Sequence, residues 1–174
     1  MKRPPPRWAP AVEEFMKLIL VRHGTATLES VNPEKPLSDR GRAEVEKVAG
    51  FLKAKHLKVD RVWHSTKKRA IETAQILAEA AEAGGALEEV TGLGPNDPVQ
   101  DLMEKISGYA KSNPEGTLMI AGHLPYLAKL AGYLVTRSET TDLMEFPTAC
   151  AVCLEQEGDR FWRIGWIIHP GIIP

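Results

Sequence analysis

Lys17-Leu18-Ile19-Leu20-Val21-Arg22-His23-Gly24 is the stretch that decides how the rest of the chain is read. Leu18 to Val21 are all apolar, with no polar residue at alternate positions. That pattern describes a short strand buried on both faces, the kind that helices cover in a parallel sheet. The run ends in a cation and an imidazole, and Gly24 then lets the backbone turn with no side chain in the way. Sheets of this kind bind ligands beyond the carboxyl ends of their strands. Arg22 and His23 are thereby placed at a functional edge.

Working outward, two further segments repeat the layout. Asp60 to His64 (DRVWH) reads as a strand running into His64-Ser65, and Thr117 to Ala121 (TLMIA) as a buried strand running into Gly122-His123. Helical spacing fills the intervals. Arg40 to His56 carries Val45, Val48, Ala49 and Leu52 on one face, with Ser38 as its N-cap. Lys67 to Ala83 is alanine-rich, and Gly84-Gly85 stops it. After a loop over 92–99, Asp97-Pro98 opens a helix to about Lys111, and Leu124 to Val135 forms another with Pro125 at its second position. Ala149 to Glu155 and Arg160 to Ile168 read as strands joined through Glu157-Gly158-Asp159, a hairpin signal. The alternation predicts an α/β protein: a three-layer α/β/α sandwich with a mainly parallel central sheet and a closing antiparallel hairpin.

Bulk properties narrow the function classes. A chain of 174 residues suits one domain with one sizeable core. The formal net charge of −1 argues against a general nucleic-acid surface, though not against a local basic pocket. No apolar run is long enough for a membrane span. Residues 1–15 are expected to be a proline-rich arm without the apolar segment of a signal peptide, and residues 16–174 to be a single domain. Cys150 and Cys153, three apart on a strand, fall on opposite faces. They read as buried structural thiols, which suits a reducing, cytoplasmic setting.

The three strand ends carry the candidate chemistry. Ser65 is expected to cap the helix that follows it, whose N-terminal N–H groups suit an anion. Arg69, about one turn in, reaches the same anion, and its planar fork matches phosphate oxygens. Lys67 and Lys68 read as a solvated basic face. His123, flanked by glycine like His23, is a second imidazole at the same edge.

Taken in order, VRHGTA, LSDRGRAE, STKKRAIETA and GHLP resemble the histidine phosphatase superfamily, the phosphoglycerate mutase-like fold. The resemblance runs from Met16 to about Pro170, and the short length and GHLP look most like the phosphohistidine phosphatase SixA group. It implies that His23 is the nucleophile and becomes phosphohistidine. It implies that Arg22, Arg69 and His123 bind the phosphoryl group, with Gly24 and Ser65 beside them. Fixed cations around phosphorus suit phosphoryl transfer, which spreads charge over equatorial oxygens. No metal-binding carboxylate cluster is seen, and no metal or other cofactor is expected.

Three positions depart from the family pattern. Many superfamily members carry a glutamate acid in the loop after the second helix, whereas this chain has only Asp97 there, read either as an N-cap alone or as a cap with a catalytic contact. Thr25 stands where SixA-type proteins often have an acidic residue, and Thr66 where proline often follows the serine. The missing glutamate disfavours a mutase and suits an easily departing imidazole. The expected activity is hydrolysis of phosphohistidine on a partner protein, such as a histidine-containing phosphotransfer domain. The alternatives are a small-molecule phosphomonoesterase of the same superfamily and, in another class, a non-catalytic module binding phosphate or a phosphoprotein. Nucleic acid and membrane are not expected partners.

Overall fold

The computed structural model describes residues 16–83, 86–157 and 161–174. The proline arm, the Gly84-Gly85 stop and the Gly158-Asp159 turn lie outside the described residues. Six strands form one sheet: β1 (Lys17–Arg22), β2 (Arg61–His64), β3 (Leu87–Glu89), β4 (Thr117–Gly122), β5 (Ala151–Glu157) and β6 (Phe161–Ile168). Their order is β3-β2-β4-β1-β5-β6. The first four in that order are parallel neighbours, and β5 and β6 continue the sheet antiparallel.

Alternation along β1 explains the two cores. Leu18 and Leu20 face one side with Trp63, Leu118, Ile120, Val152 and Leu154. The helices α3 (Val99–Ser112) and α4 (Tyr126–Thr136) cover that side with Leu102, Ile106, Leu127 and Leu130. Ile19 and Val21 face the other with Val62, Met119, Ala151 and Cys153. There α1 (Asp39–Ala54) and α2 (Lys68–Ala80) supply Val45, Val48, Leu52, Ala74 and Leu77. The result is the three-layer α/β/α sandwich that the sequence predicts. Cys150 and Cys153 are both buried and free, one in each core.

Several boundaries differ from the sequence reading. Ser38 caps α1 as expected, accepting from the Gly41 amide at 3.0 Å. Ser65 does not cap α2, whose N-cap is Lys67 with no side-chain cap bond. Asp97 is not the cap of α3 either: the helix begins one residue later than expected, with Pro98 at the cap. The Asp97 carboxylate instead accepts from the Gly94 amide at 2.7 Å and closes a local turn. In α4, Pro125 precedes the helix and does not occupy its second position. The short edge strand β3 was not expected, because a three-residue Leu-Glu-Glu segment with one apolar side chain gives no periodic signal.

Candidate active site

Strand register brings the three clusters to one level. Arg22 pairs with Gly122 across β1 and β4, and His64 pairs with Ala121 across β2 and β4. The residues that follow each strand therefore emerge side by side, one interstrand spacing apart. His23 and His123, a hundred residues apart in sequence, have ring centroids 5.0 Å apart, tilted by 57°.

His23 is fixed by two contacts. Its Nδ1 lies 2.7 Å from the Gly24 carbonyl oxygen, which only accepts, so Nδ1 carries the proton. The lone pair is then on Nε2, which accepts from Arg69 Nε at 3.1 Å. Burial lowers the His23 pKa to about 4, with the Gly24 carbonyl opposing the shift and Arg69 and Arg22 adding to it. The ring is thus neutral at pH 7 with an unprotonated Nε2, the state a nitrogen nucleophile needs once Arg69 gives up its hydrogen bond.

His123 is almost fully buried, and its Nε2 lies 2.5 Å from Ser65 Oγ. Burial, then His23, Arg69 and Lys67, push its pKa down to about 3. Ser65 thus serves the site by holding this ring, and not as a helix cap. Arg22 donates from Nη1 to the Phe146 carbonyl at 2.8 Å, and its Nε is buried with no protein partner. Arg69 sits in the first turn of α2, nearer the helix start than the sequence reading puts it. Burial lowers the pKa of both arginines, yet guanidinium stays charged in proteins. Among the described residues no carboxylate is ion-paired with either one. Two guanidinium groups and a neutral imidazole with an unprotonated Nε2 lie close together, an arrangement suited to binding an oxyanion and attacking it.

The supporting contacts include residues the sequence reading passed over. The Gly24 amide donates to Thr73 Oγ1 at 3.2 Å, and that hydroxyl donates back to the Arg69 carbonyl at 2.7 Å. The hydroxyl ties the loop after β1 to the helix that carries Arg69. Glu44, on α1, accepts from the Thr25 amide at 3.2 Å, from Thr25 Oγ1 at 2.8 Å and from Thr148 Oγ1 at 3.1 Å. Burial raises its pKa, but the bonds from Thr25, Arg40 and Thr148 outweigh that and hold it below the ordinary carboxylate value. Glu44 is therefore a fixed anion and not a proton donor. Asp97 is not hydrogen-bonded to any of the four candidate residues. It lines a separate hollow with Thr91, Asp101, Glu104 and Lys105. Among the described residues no group of His, Cys, Asp and Glu is arranged to hold a metal ion. Among the described residues no helix is long and apolar enough to cross a membrane.

Known proteins share the sequence pattern and the fold. A profile of the histidine phosphatase superfamily (branch 1) matches residues 18–94. The phosphohistidine phosphatase SixA of Escherichia coli (strain K12) is 26% identical over 159 residues, covering 89% of this chain and 94% of that protein. Among solved structures, the protein histidine phosphatase SixA complexed with tungstate aligns with a TM-score of 0.80 at 20% identity, covering 90% of this chain and 98% of that one. A phosphoglycerate mutase from Bacillus anthracis aligns at 0.71 with 14% identity, over 92% and 96% of the two chains. By its sequence pattern and its relatives, this chain belongs to the histidine phosphatase superfamily.

Proposed function

We propose that this phosphatase hydrolyses phosphohistidine on a protein through a covalent phospho-His23 intermediate. The observation that carries the reading is the Nδ1–H of His23 bound to the Gly24 carbonyl, which leaves the Nε2 lone pair for phosphorus. In the free enzyme Arg69 donates to that pair. When a phosphoryl group enters, Arg69 transfers its hydrogen bond to an equatorial oxygen, and Arg22 and His123 take up the others. The Nε2–P bond forms as the bond to the leaving group breaks in line. Water then attacks phospho-His23, the Nε2–P bond breaks, and inorganic phosphate leaves with the neutral ring restored.

The leaving group follows from what surrounds the ring. Among the described residues no carboxylate is hydrogen-bonded to His23 or His123, and Asp97 is engaged with Gly94. A site without a strong acid suits an imidazole leaving group, which departs more easily than an alkoxide. The similarity to the protein called phosphohistidine phosphatase SixA supports the same choice. Residues 16–174 would act as one catalytic domain.

Release of phosphate from a histidine-phosphorylated protein, beside p-nitrophenyl phosphate and a sugar phosphate, tests the proposal. Phosphohistidine should turn over fastest, and His23→Ala should abolish turnover of all three. Preference for an ester would move the assignment to a small-molecule phosphatase. Absence of turnover on every substrate would leave a phosphate-binding module.

A further inference from the structure

Beside the His23 cluster lies a hollow of about 500 Å³, walled by the loop over 28–36 on one side and by the start of α2 on the other. Arg69 is common to both: it donates from Nε to His23 and it lines the hollow. Lys35, Lys67 and Lys68 also line it, against Glu29 and Glu34. Glu29 is already taken by Lys35 at 2.6 Å. Among the described residues Lys67 and Lys68 have no ion-pair partner, so the wall formed by α2 carries uncompensated positive charge.

The facing loop is tied at its base and braced within. Ala26 bridges to Leu37, Thr27 donates to the Pro36 carbonyl at 2.8 Å, and the Leu37 amide donates to Glu72 of α2 at 2.7 Å. Inside the loop the Val31 and Asn32 amides both donate to the Leu28 carbonyl at 3.0 Å. This bracing holds two apolar side chains outward: Leu28 is 71% exposed and Val31 is 75% exposed. They are the most exposed large apolar residues on any loop between described strands and helices.

We propose that the loop over 28–36 and the first turn of α2 form a docking surface for a protein that carries its phosphohistidine within an acidic, partly apolar rim. The inference rests on the phosphohistidine reading above. A compact phosphate ester bound at His23 has no use for two outward aliphatic side chains. A protein surface does, because apolar contact supplies area while the lysines select an acidic partner and speed its approach.

Steady-state kinetics on two substrates tests it: a histidine-containing phosphotransfer domain phosphorylated with phosphoramidate, and p-nitrophenyl phosphate. Leu28→Asp/Val31→Asp and, separately, Lys68→Glu should each lower kcat/KM on the phosphoprotein by about tenfold, through KM. Turnover of p-nitrophenyl phosphate should stay within about twofold. For the parent, rising salt should depress the phosphoprotein rate more than the ester rate. Unchanged phosphoprotein kinetics in both variants, or equal losses on both substrates, would overturn the docking surface. A parent that cleaves the ester and leaves the phosphoprotein intact would overturn the substrate reading itself, before any variant is compared.

Discussion

Burial, with Arg69 adding to it, makes protonation of His23 and His123 costly, and that cost couples folding to pH. In the unfolded chain both rings titrate near about 6.5. In the folded protein they titrate at about 4 and about 3. Between those values the unfolded state holds protons that the folded state does not, so stability rises with pH and is lost as pH falls. Urea midpoints should therefore drop as pH falls from 7 toward 4, and His23→Asn/His123→Asn should flatten the drop; parallel slopes would refute the assignment. Glu44 supports a second prediction. Glu44→Leu strips the acceptor from the Thr25 amide and from two hydroxyls, which should cost about 1–3 kcal/mol of stability. It should also lower kcat roughly 10- to 100-fold by letting the loop after β1 shift, with little change in KM; Glu44→Gln, which keeps an acceptor, should recover most of both. The four residues proposed to surround phosphorus were legible because each stands at the end of a recognisable strand, just beyond one, or at the start of a recognisable helix. Glu44 was not: in sequence it is one more carboxylate on a helix surface, four residues after Arg40, and its partner Thr148 lies more than a hundred residues away.

At the scale of elements, the site depends on how closely α1 approaches the loop after β1. A methyl group built on Gly41 would lie 1.9 Å from the Thr25 carbonyl oxygen, and one on Gly24 would lie 2.5 Å from the Gly41 carbonyl oxygen. Backbone meets backbone there, so no side-chain rotation relieves the clash. Gly41→Ala should cost upwards of about 1–3 kcal/mol by denaturant unfolding, and it should impair turnover as Thr25 and His23 move. Gly50, on the same helix, has nothing within 4 Å of a built Cβ. Gly50→Ala should stabilise by about 0.5–1 kcal/mol and leave kinetics alone. Equal effects at the two positions would sink the close-approach argument. Long elements were legible for a related reason: a double-faced apolar run such as β1, or a face such as Val45, Val48 and Leu52, repeats often enough to announce its period. Helix starts were less so. Ser65 and Asp97 both carry capping side chains in front of a helix, yet other partners claim them, the distant His123 for one and the Gly94 amide of the preceding turn for the other. Local chemistry proposes a cap, and the fold decides who receives the bond.

At the scale of the molecule, the proposed phosphoryl site exists only when β2, β4 and β1 lie in register, because its parts come from residues 22 to 123. An unfolded chain presents no such cluster, so an anion that fits the site binds the folded state alone and must stabilise it. Inorganic phosphate at about 100 times its dissociation constant should add about 2.7 kcal/mol, which for a chain of this size raises Tm by roughly 5–10 °C. Sodium chloride at equal ionic strength should not, since it screens charge without offering oxygens to Arg22 and Arg69. The Arg22→Ala/Arg69→Ala variant separates specific binding from a general salting effect. Its Tm in buffer will differ from the parent's, but the increment caused by phosphate should vanish. Were the increment to persist, phosphate would be binding elsewhere, and the basic hollow lined by Lys67 and Lys68 would be the next place to test, with Lys68→Glu as the variant that removes it. Were it to vanish while His23→Ala retains it, the two arginines would be shown to bind the oxygens independently of the nucleophile. That division of labour is what the geometry implies, with cations fixed by the Phe146 carbonyl and by α2, and a neutral imidazole fixed by the Gly24 carbonyl.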